Sequence, residues 1–575
     1  GTDRTAAYSA GSGSNTLEFI YTVAPGDSSS DLGYVASDSL KRSGGSIRSD
    51  QGANADLTLP APGAAGSLRN NKAIVIASNT LNAGALAADE GFLVLGNTTT
   101  DYFPRSLRGG GDFNGDGFED FIIGDNLADA SAGDSGAAWV VFGKPGATRA
   151  DFDIDAGAAD DGFKIVGPTK ADYLGMTVDL SGDLNGDGYD DAVVVASYSD
   201  DSQPDAGMVW VIWGKAGATH PDVNVAPGNF SSSDGFRVVP FETSDLFQST
   251  IAYIPENAQF LDADGDFNGD GIDDLVLGHP TSDLDDANSG VVYVVLGKPG
   301  ATRADVQLNA LGTEGFRIRL GEADTAQLGH SVQYLNDFNG DHVNDLIIGA
   351  HRSNRGATNG GEAIIVFGTP GATADIDLSL LSNTQGFRVD TTIVDSYLGG
   401  SVASGDVNGD GLTDALIGHV ASNTANGADS GAVQVIYGRQ AATYSDLQVG
   451  SIPTSQGFYV LGKDVGDFMA YALESLGDVD GDGVDDFLTS TWYNDDSAGD
   501  AGAGWIIRGV SGTSRATVDL VNLGSNDGIE VVGGGSADYL GRTNSLADVN
   551  GDGYVDALLG APNGQGVTVD DGHIA

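Results

Sequence analysis

Cysteine is absent from this sequence and basic residues are few, and both absences restrict what the protein can be. None of the 575 residues is Cys, so disulfides and thiol chemistry are excluded. Lys and Arg total 26 against 82 Asp and Glu, giving a formal net charge of −56 at pH 7. Such a charge repels phosphate groups at long range, which argues against nucleic acid and anionic membrane surfaces as partners.

Long apolar runs and glutamate are also scarce. No stretch of about 18 apolar residues exists, so we expect no membrane insertion. Residues 1–15 lack the apolar region of a signal peptide, which predicts a removed signal or a piece of a longer chain. Only ten of the 82 acidic residues are Glu. Asp is favoured where a short carboxylate turns back into a tight loop, as in turns and calcium sites.

A repeat dominates the amino-acid sequence. The string D-x-[ND]-G-D-x-x-x-D occurs seven times, at intervals of 69 to 72 residues except for the second interval of 83. Each repeat contains short apolar runs that are β-branched and bounded by Gly, Asp and Pro, which is typical of strands. Four such strands per repeat and seven repeats predict an all-β fold, a seven-bladed β-propeller with four-stranded blades.

The two ends of the chain bear on how the ring closes. The last repeat stops in its third strand, whereas residues 89–96 form a strand with no preceding repeat. We therefore expect this N-terminal strand to complete the last blade. Residues 1–79 do not fit the repeat and alternate apolar with polar residues, which predicts part of an Ig-like β-sandwich. The predicted domains are thus 1–79 and a propeller over 80–575.

The acidic loops have the composition of calcium sites. Ca²⁺ takes six to eight oxygen ligands from carboxylates and carbonyls of a tight loop. In residues 112–120, side chains at positions 1, 3, 5 and 9 and the backbone carbonyl at position 7 supply such oxygens. Glycines at positions 4 and 6 let the chain coil around the ion. We predict about seven Ca²⁺ ions, one per blade.

The predicted ligands of all seven loops are the following: Asp112, Asn114, Asp116, Phe118 and Asp120; Asp183, Asn185, Asp187, Tyr189 and Asp191; Asp266, Asn268, Asp270, Ile272 and Asp274; Asp337, Asn339, Asp341, Val343 and Asp345; Asp406, Asn408, Asp410, Leu412 and Asp414; Asp478, Asp480, Asp482, Val484 and Asp486; Asp548, Asn550, Asp552, Tyr554 and Asp556.

Three departures from the pattern stand out. An EF-hand loop needs an acid at position 12, but that position is apolar or Thr in all seven loops, so the EF-hand interpretation fails. His342 replaces a glycine in the fourth loop, which we expect to strain and weaken that site. Asp480 replaces Asn in the sixth loop and adds a fourth carboxylate. The long second interval predicts a functional insertion at 245–266, with Asp262 and Asp264 as a further cation site.

The order of "DYLG", the "GDxNGD" loop, "LLGAP" and "GF" resembles the FG-GAP repeats of the integrin α-subunit propeller and its bacterial relatives. The resemblance covers residues 89–575. It implies a seven-bladed ring with calcium between the first and second strands of a blade, and ligands on the opposite face. The N-terminal segments "RTAAYSAGSGSNTLEFIYTVAPGD" and "NNKAIVI" are similar to the Ig-like extender repeats of RTX-type bacterial surface adhesins.

These features together predict a non-enzymatic, secreted or bacterial cell-surface adhesion module. Its partner would be a cell-surface glycan or a protein ligand. Loops after the second strand would contact it, and they hold Tyr198, His351, Arg352, Trp492 and Tyr493, with Arg355 beside them.

Two other functions stay open at this point. A filament built by strand donation through the incomplete ends would make the chain a self-associating structural subunit. A propeller-based polysaccharide lyase or hydrolase is the other alternative. Against it, the sequence lacks the GxSxG, HExxH and P-loop motifs, and several of its His residues recur at one repeat position.

Overall fold

The chain divides into two compact units, Gly1–Leu81 and Asn82–Ala575. The computed structural model describes residues 92–96, 103–145, 152–154, 160–200, 202, 204–241, 261–321, 324–441, 443–549, 555–563 and 573–574, together with 7–10, 18–20 and 80–82. The predicted Ig-like segment lies almost wholly outside the described residues. Within it, Ala7–Ala10 pairs antiparallel with Glu18–Ile20. A further short strand spans Thr80–Asn82.

The described residues of the second unit form seven sheets, each with four antiparallel strands, so the prediction of an all-β propeller is confirmed. We number the sheets in chain order of their innermost strands. Their strands run as follows. Sheet 1 comprises Ser106–Gly111, Asp120–Asp125, Ala137–Val141 and Gly162–Val166; sheet 2 comprises Leu174–Gly182, Asp191–Ala196, Met208–Ile212 and Gly235–Val239; sheet 3 comprises Leu261–Gly265, Asp274–His279, Val291–Val295 and Gly315–Arg319; sheet 4 comprises Ser331–Leu335, Asp345–Ala350, Glu362–Val366 and Gly386–Asp390.

The remaining sheets continue the series. Sheet 5 comprises Leu398–Gly405, Asp414–His419, Ala432–Ile436 and Gly457–Leu461; sheet 6 comprises Ala472–Gly477, Asp486–Thr491, Ala503–Ile507 and Gly528–Val532; sheet 7 comprises Thr543–Ala547, Asp556–Ala561, His573–Ile574 and Val94–Leu95. Six sheets are thus continuous in sequence and form complete blades. Sheet 7 is composite, because His573–Ile574 pairs with Val94–Leu95 from the other end of this unit.

Short strands tie neighbouring sheets together. In six sheets the outer strand pairs in parallel with a two-residue strand from the following sheet's stretch of chain. These strands are Val223–Asn224, Val306–Gln307, Ile376–Asp377, Leu447–Gln448, Val518–Asp519 and, on sheet 7, Phe152–Asp153. Three of these links lead into 3₁₀ turns at Leu308–Ala310, Leu378–Leu380 and Leu520–Asn522.

Burial explains the strand sequences. The second and third strands of sheet 1, Asp120–Asp125 and Ala137–Val141, are buried along their whole length, and apart from the two terminal aspartates they contain no polar side chain. The outer strand Gly162–Val166 alternates buried and half-buried positions. The cores lie between adjacent sheets; Val193 of sheet 2, for example, shares a cluster with Tyr293 of sheet 3. Each sheet therefore buries both faces against its neighbours.

The innermost strands of consecutive sheets contact one another around the ring, and that of sheet 7 contacts that of sheet 1. At this junction the Gly109 amide donates a hydrogen bond to Ser545 Oγ over 2.9 Å. A Cβ added at Gly109 would lie 2.1 Å from the Leu546 carbonyl oxygen, so only glycine permits this close approach. The first and last sheets of the unit are therefore in direct contact.

Candidate metal centres

Each acidic loop joins the first strand of a sheet to its second and is folded around its first aspartate. In the first loop, Asp112 Oδ1 accepts hydrogen bonds from the amides of Gly115 at 2.7 Å and Asp116 at 3.1 Å, and its Oδ2 accepts from Gly117 at 2.9 Å. Gly115 and Gly117 have φ of 71° and 89°. Side chains with a Cβ rarely adopt such values, so the loop requires glycine there. In loops two to six the amides of the fifth and sixth residues likewise donate to the first aspartate's carboxylate.

The ninth residue of each loop is a buried carboxylate at the start of the second strand. Asp120 is fully buried, and it accepts hydrogen bonds from Phe113 N at 3.1 Å and Gly143 N at 2.9 Å. Burial raises the pKa of Asp120 to about 8, the hydrogen bond from Gly143 opposes that rise, and nearby Asp112 and Asp116 add to it by repulsion. Burial likewise raises the pKa of the equivalent Asp345 to about 8. A bound cation would relieve this repulsion.

The third residue offers the clearest test of whether calcium fits. Asn408 is 1% exposed; its Nδ2 donates to Asp414 Oδ1 over 3.0 Å, while its Oδ1 has no hydrogen-bond partner. The Oδ1 atoms of Asn114 and Asn185 are buried and unpartnered in the same way. A buried polar atom without a partner is costly. A cation that prefers oxygen ligands would give these atoms a partner. Together with the carboxylates, the amide oxygens form a set of oxygen ligands that fits Ca²⁺.

Two loops depart from this description. His342 of the fourth loop takes a positive φ of 68°, and its amide still donates to Asp337 Oδ2 over 3.1 Å. The loop therefore keeps its hydrogen bonding although the backbone of His342 is in the left-handed region. The weaker site predicted there stays a prediction. In the seventh loop Asp548 and Asp556 are described, whereas Asn550, Asp552 and Tyr554 lie outside the described residues.

Successive loops are linked through their eighth residue, a feature that the repeat pattern did not predict. The amide of the first aspartate donates to the eighth side chain of the following loop. The acceptors are Asp190, Asp273, Asn344, Thr413, Asp485 and, from loop seven back to loop one, Glu119. In the sequence, the acidic residue that recurs at the eighth position could have indicated these links. Loop seven has Val555 at this position, and the valine side chain cannot accept a hydrogen bond.

The opposite end of each sheet carries the loops that were predicted to contact a ligand. His351 is fully buried, with its ring centroid 3.8 Å from that of His330, so the prediction that it contacts a surface ligand is wrong. Arg352 is half-buried and donates its amide to Ala326 O. The neighbouring Arg355 pairs with Asp446 at 3.4 Å.

Aromatic residues gather at two places on this end. Tyr198 packs against Tyr173 with ring centroids 5.2 Å apart, beside an open pocket of about 470 Å³. Trp492 is half-buried and is the centre of a larger cluster. Its ring lies 4.6 to 5.6 Å from three tyrosine rings and 4.9 Å from a guanidinium. The residues are Tyr471, Tyr493, Tyr539 and Arg542.

Asp262 does not join the third acidic loop. It is fully buried, accepts a hydrogen bond from Tyr334 N over 2.7 Å and lies 3.7 Å from Arg108 Nη2. The inserted residues 242–260 lie outside the described residues. In the part of the chain that is described, no helix is long and apolar enough to cross a bilayer.

Comparison with known proteins supports the FG-GAP interpretation of these repeats. Residues 103–141 and 175–212 match the FG-GAP repeat family. Integrin alpha-PS2 of Drosophila melanogaster is 30% identical over 206 residues, which cover 34% of this chain and 13% of that protein. Phosphatidylinositol-glycan-specific phospholipase D of Dictyostelium discoideum is 28% identical over 225 residues, covering 38% and 22%. The chain thus spans less than a quarter of the length of either relative.

A solved structure of BBS1N in complex with ARL6DN shares 8% identity with this chain at a TM-score of 0.32. The alignment covers 72% of this chain and 84% of that one. The two stretches that match the FG-GAP repeat lie in sheets 1 and 2 of the β-propeller.

Proposed function

We propose that this chain is a calcium-stabilised, ligand-binding propeller from an extracellular, bacterial surface protein, and that it acts by adhesion rather than by catalysis. Seven sheets whose inner strands contact in sequence support a closed ring of seven blades, with the composite sheet as the seventh. The buried, unpartnered Asn Oδ1 atoms beside the buried ninth aspartates carry the calcium assignment. When bound, calcium would supply charge neutralisation and tie the two inner strands of each blade together.

The chain's own residues prepare each loop for the ion. Loop amides orient the first aspartate, and the glycine after the third strand holds the ninth. Because these contacts do not neutralise the carboxylates, an ion-free loop keeps a repulsion that opposes folding. We therefore assign calcium a structural role in every blade.

Calcium titration of two matched variants tests the structural role. Asp410→Ala removes a fifth-loop ligand that is exposed, so its loss leaves the apolar core intact. We expect a lower melting temperature at limiting calcium and one fewer bound ion per chain. Asp446→Ala removes an exposed aspartate outside the loops and serves as the control. An unchanged ion count in Asp410→Ala would refute calcium binding at this loop.

The ligand surface is proposed at the end of the sheets opposite the calcium loops. The Trp492 cluster offers flat apolar rings with a cation above one of them, a combination that stacks on sugars and pairs with carboxylates. Relationship to integrin alpha subunits suggests an adhesion-type ligand, either protein or glycan. A glycan and protein array in saturating calcium, comparing the wild type with Trp492→Ala, tests this surface. Equal binding of both proteins would exclude the cluster.

The filament alternative is less well supported than a closed monomer. His573–Ile574 already pairs with Val94–Leu95 of the same chain, so the last sheet needs no donated strand. Light scattering in calcium and in chelator distinguishes the two: a filament would scatter as a large species in calcium. The enzymatic alternative has the phospholipase D relative in its favour, but the aligned region covers only 22% of that protein. We infer no catalytic role for this chain.

A further inference from the structure

The sixth calcium loop differs from the other described loops at two positions that contact each other. Its third residue is Asp480 instead of asparagine, and the residue that precedes its anchoring glycine, Gly509, is Arg508. The guanidinium Nη1 of Arg508 donates directly to Asp480 Oδ2. At the position of Arg508, the first five sheets carry buried apolar or aromatic residues. These are Phe142, Trp213, Leu296, Phe367 and Tyr437.

The pairing balances charge within the chain. Loops one to five each contribute three ligand carboxylates, whereas loop six contributes four, and Arg508 brings its total back to −3. Ligand oxygens of Asp478, Asp480 and Asp486 all lie within 4.8 Å of one another. The net charge of loop six with Arg508 therefore equals that of loops one to five. Loop six differs because one of its ligand oxygens, Asp480 Oδ2, accepts a hydrogen bond from the Arg508 guanidinium.

A second observation sets this loop apart. The eighth residue of the seventh loop is Val555, whose side chain has no hydrogen-bond acceptor for the amide of Asp478, the first aspartate of loop six. Gly477, just before it, would place a Cβ 3.6 Å from the Val555 side chain. Loop six thus has an ion pair between Asp480 and Arg508, and its first aspartate lacks the side-chain hydrogen bond to the next loop.

We propose that Arg508 competes with calcium for Asp480, so that the sixth loop is the weakest calcium site of the ring and the one whose occupancy changes with calcium concentration. This inference rests on the proposed function, because it presumes that the loops bind calcium. Ion entry must break a charge-assisted hydrogen bond from an arginine, which the other described loops do not have. Breaking it costs affinity at loop six alone, whereas the other loops stay filled and hold the fold together.

A four-protein cycle tests the competition: the wild type, Asp480→Asn, Arg508→Leu and the double variant. Leu is the residue at this position in sheet 3, and Asn is the third residue of the other described loops, so the double variant reproduces an existing combination. Bound calcium per chain is measured by equilibrium dialysis across micromolar to millimolar free calcium. Asp478→Ala identifies which binding step belongs to loop six.

We expect the wild type to show one weak step that Asp478→Ala removes. Arg508→Leu should tighten that step by about tenfold or more, since a hydrogen bond to a charged group is lost only from the ion-free state. The double variant should bind at loop six like the other loops, and Asp480→Asn alone should bind most weakly. Circular dichroism in saturating calcium verifies that each variant is folded.

Two results separate this inference from the proposed function. If Arg508→Leu leaves the weakest step unchanged, or if that step survives in Asp478→Ala, the competition is refuted while calcium binding stands. If no protein binds calcium at any loop, and Asp410→Ala behaves as the wild type does, the proposed function fails as well.

Discussion

Arg108 and Glu474 meet across the centre of the ring, although 366 residues separate them in sequence. Arg108 belongs to the innermost strand of sheet 1 and Glu474 to that of sheet 6, and both are buried. The Arg108 guanidinium also lies 3.7 Å from Asp179 of sheet 2 and from Asp262 of sheet 3. Three acids and one cation thus meet where the inner strands converge, and desolvation raises the pKa of Glu474, against the pull of Arg108.

Removing Arg108 should strongly destabilise the ring. Arg108→Met leaves Glu474, Asp179 and Asp262 buried without their shared cation, which costs about 3 to 5 kcal/mol for a broken buried ion pair. Chemical denaturation in saturating calcium measures the loss. Arg108→Met combined with Glu474→Gln should recover part of it, because one uncompensated charge is removed. A double variant no more stable than Arg108→Met would show that the pair is not coupled.

Each hydrogen bond between successive acidic loops should contribute separately to stability. Asp485→Ala removes the acceptor of the Asp406 amide, a hydrogen bond of 2.8 Å, and should cost about 1 kcal/mol. Asp485→Asn keeps an acceptor oxygen, as Asn344 does in the fourth loop over 3.1 Å, and is the matched control. Thermal denaturation at fixed calcium compares the two. Equal losses in both variants would assign the effect to charge instead of the hydrogen bond.

The missing link at Val555 offers a gain-of-stability test. Val555→Asn places an amide oxygen at the eighth position of loop seven, where the other described loops have an acceptor. We expect it to bond to the amide of Asp478 and to raise the free energy of unfolding by up to about 1 kcal/mol. A change of calcium affinity confined to loop six would accompany it. An unstable Val555→Asn protein would contradict this expectation, since the Val555 side chain is only half-buried.

Acid should unfold the propeller through histidines that are buried in the neutral form. Burial lowers the pKa of His419 to about 3, and burial together with the positive charge of Arg352 lowers that of His330 to about 3. The unfolded chain takes up these protons at its ordinary pKa of 6.5, whereas the folded chain does not. The contribution of these histidines to the free energy of unfolding is therefore complete above pH 6.5, and it is lost as the pH is lowered towards 3.

Each such histidine should lower the free energy of unfolding by about 2 kcal/mol between its unfolded pKa and about pH 5. Denaturation in saturating calcium over this range measures the slope. His419→Gln keeps a polar group near Ser396, whose Oγ lies 3.0 Å from His419 Nε2. This variant takes up one proton fewer on unfolding, so its slope should be smaller. A slope identical to that of the wild type would mean that His419 does not titrate on unfolding.

The repeat in the sequence predicts much of the fold and of the candidate site. Apolar runs of four to eight residues indicated the strands, because a strand buried on both faces has a continuous apolar sequence. The loop pattern located residues such as Asp112 and Asn408, since the required geometry is local and follows from the spacing of glycines and carboxylates. Val94–Leu95 as the closing strand was also predicted, because an unpaired edge is costly.

Other features depended on residues that are distant in the sequence. His351 was predicted at the surface, yet it is buried against His330, because periodicity alone does not show how deeply a loop packs. Asp262 was assigned to a cation site near the third loop and instead lies beside Arg108 at the axis. No local pattern pairs Asp480 with Arg508, which come together only when the third strand returns beside the loop.

By itself, therefore, the sequence determined the four-stranded repeat and the chemistry within each nine-residue loop, since both arise from neighbours along the chain. The tertiary structure alone decided which side chains meet between blades: the eighth-residue links, the charges around Arg108 and the pairing of Arg508 with Asp480. Those contacts are set by how sheets pack around a ring, and sequence spacing does not encode that packing.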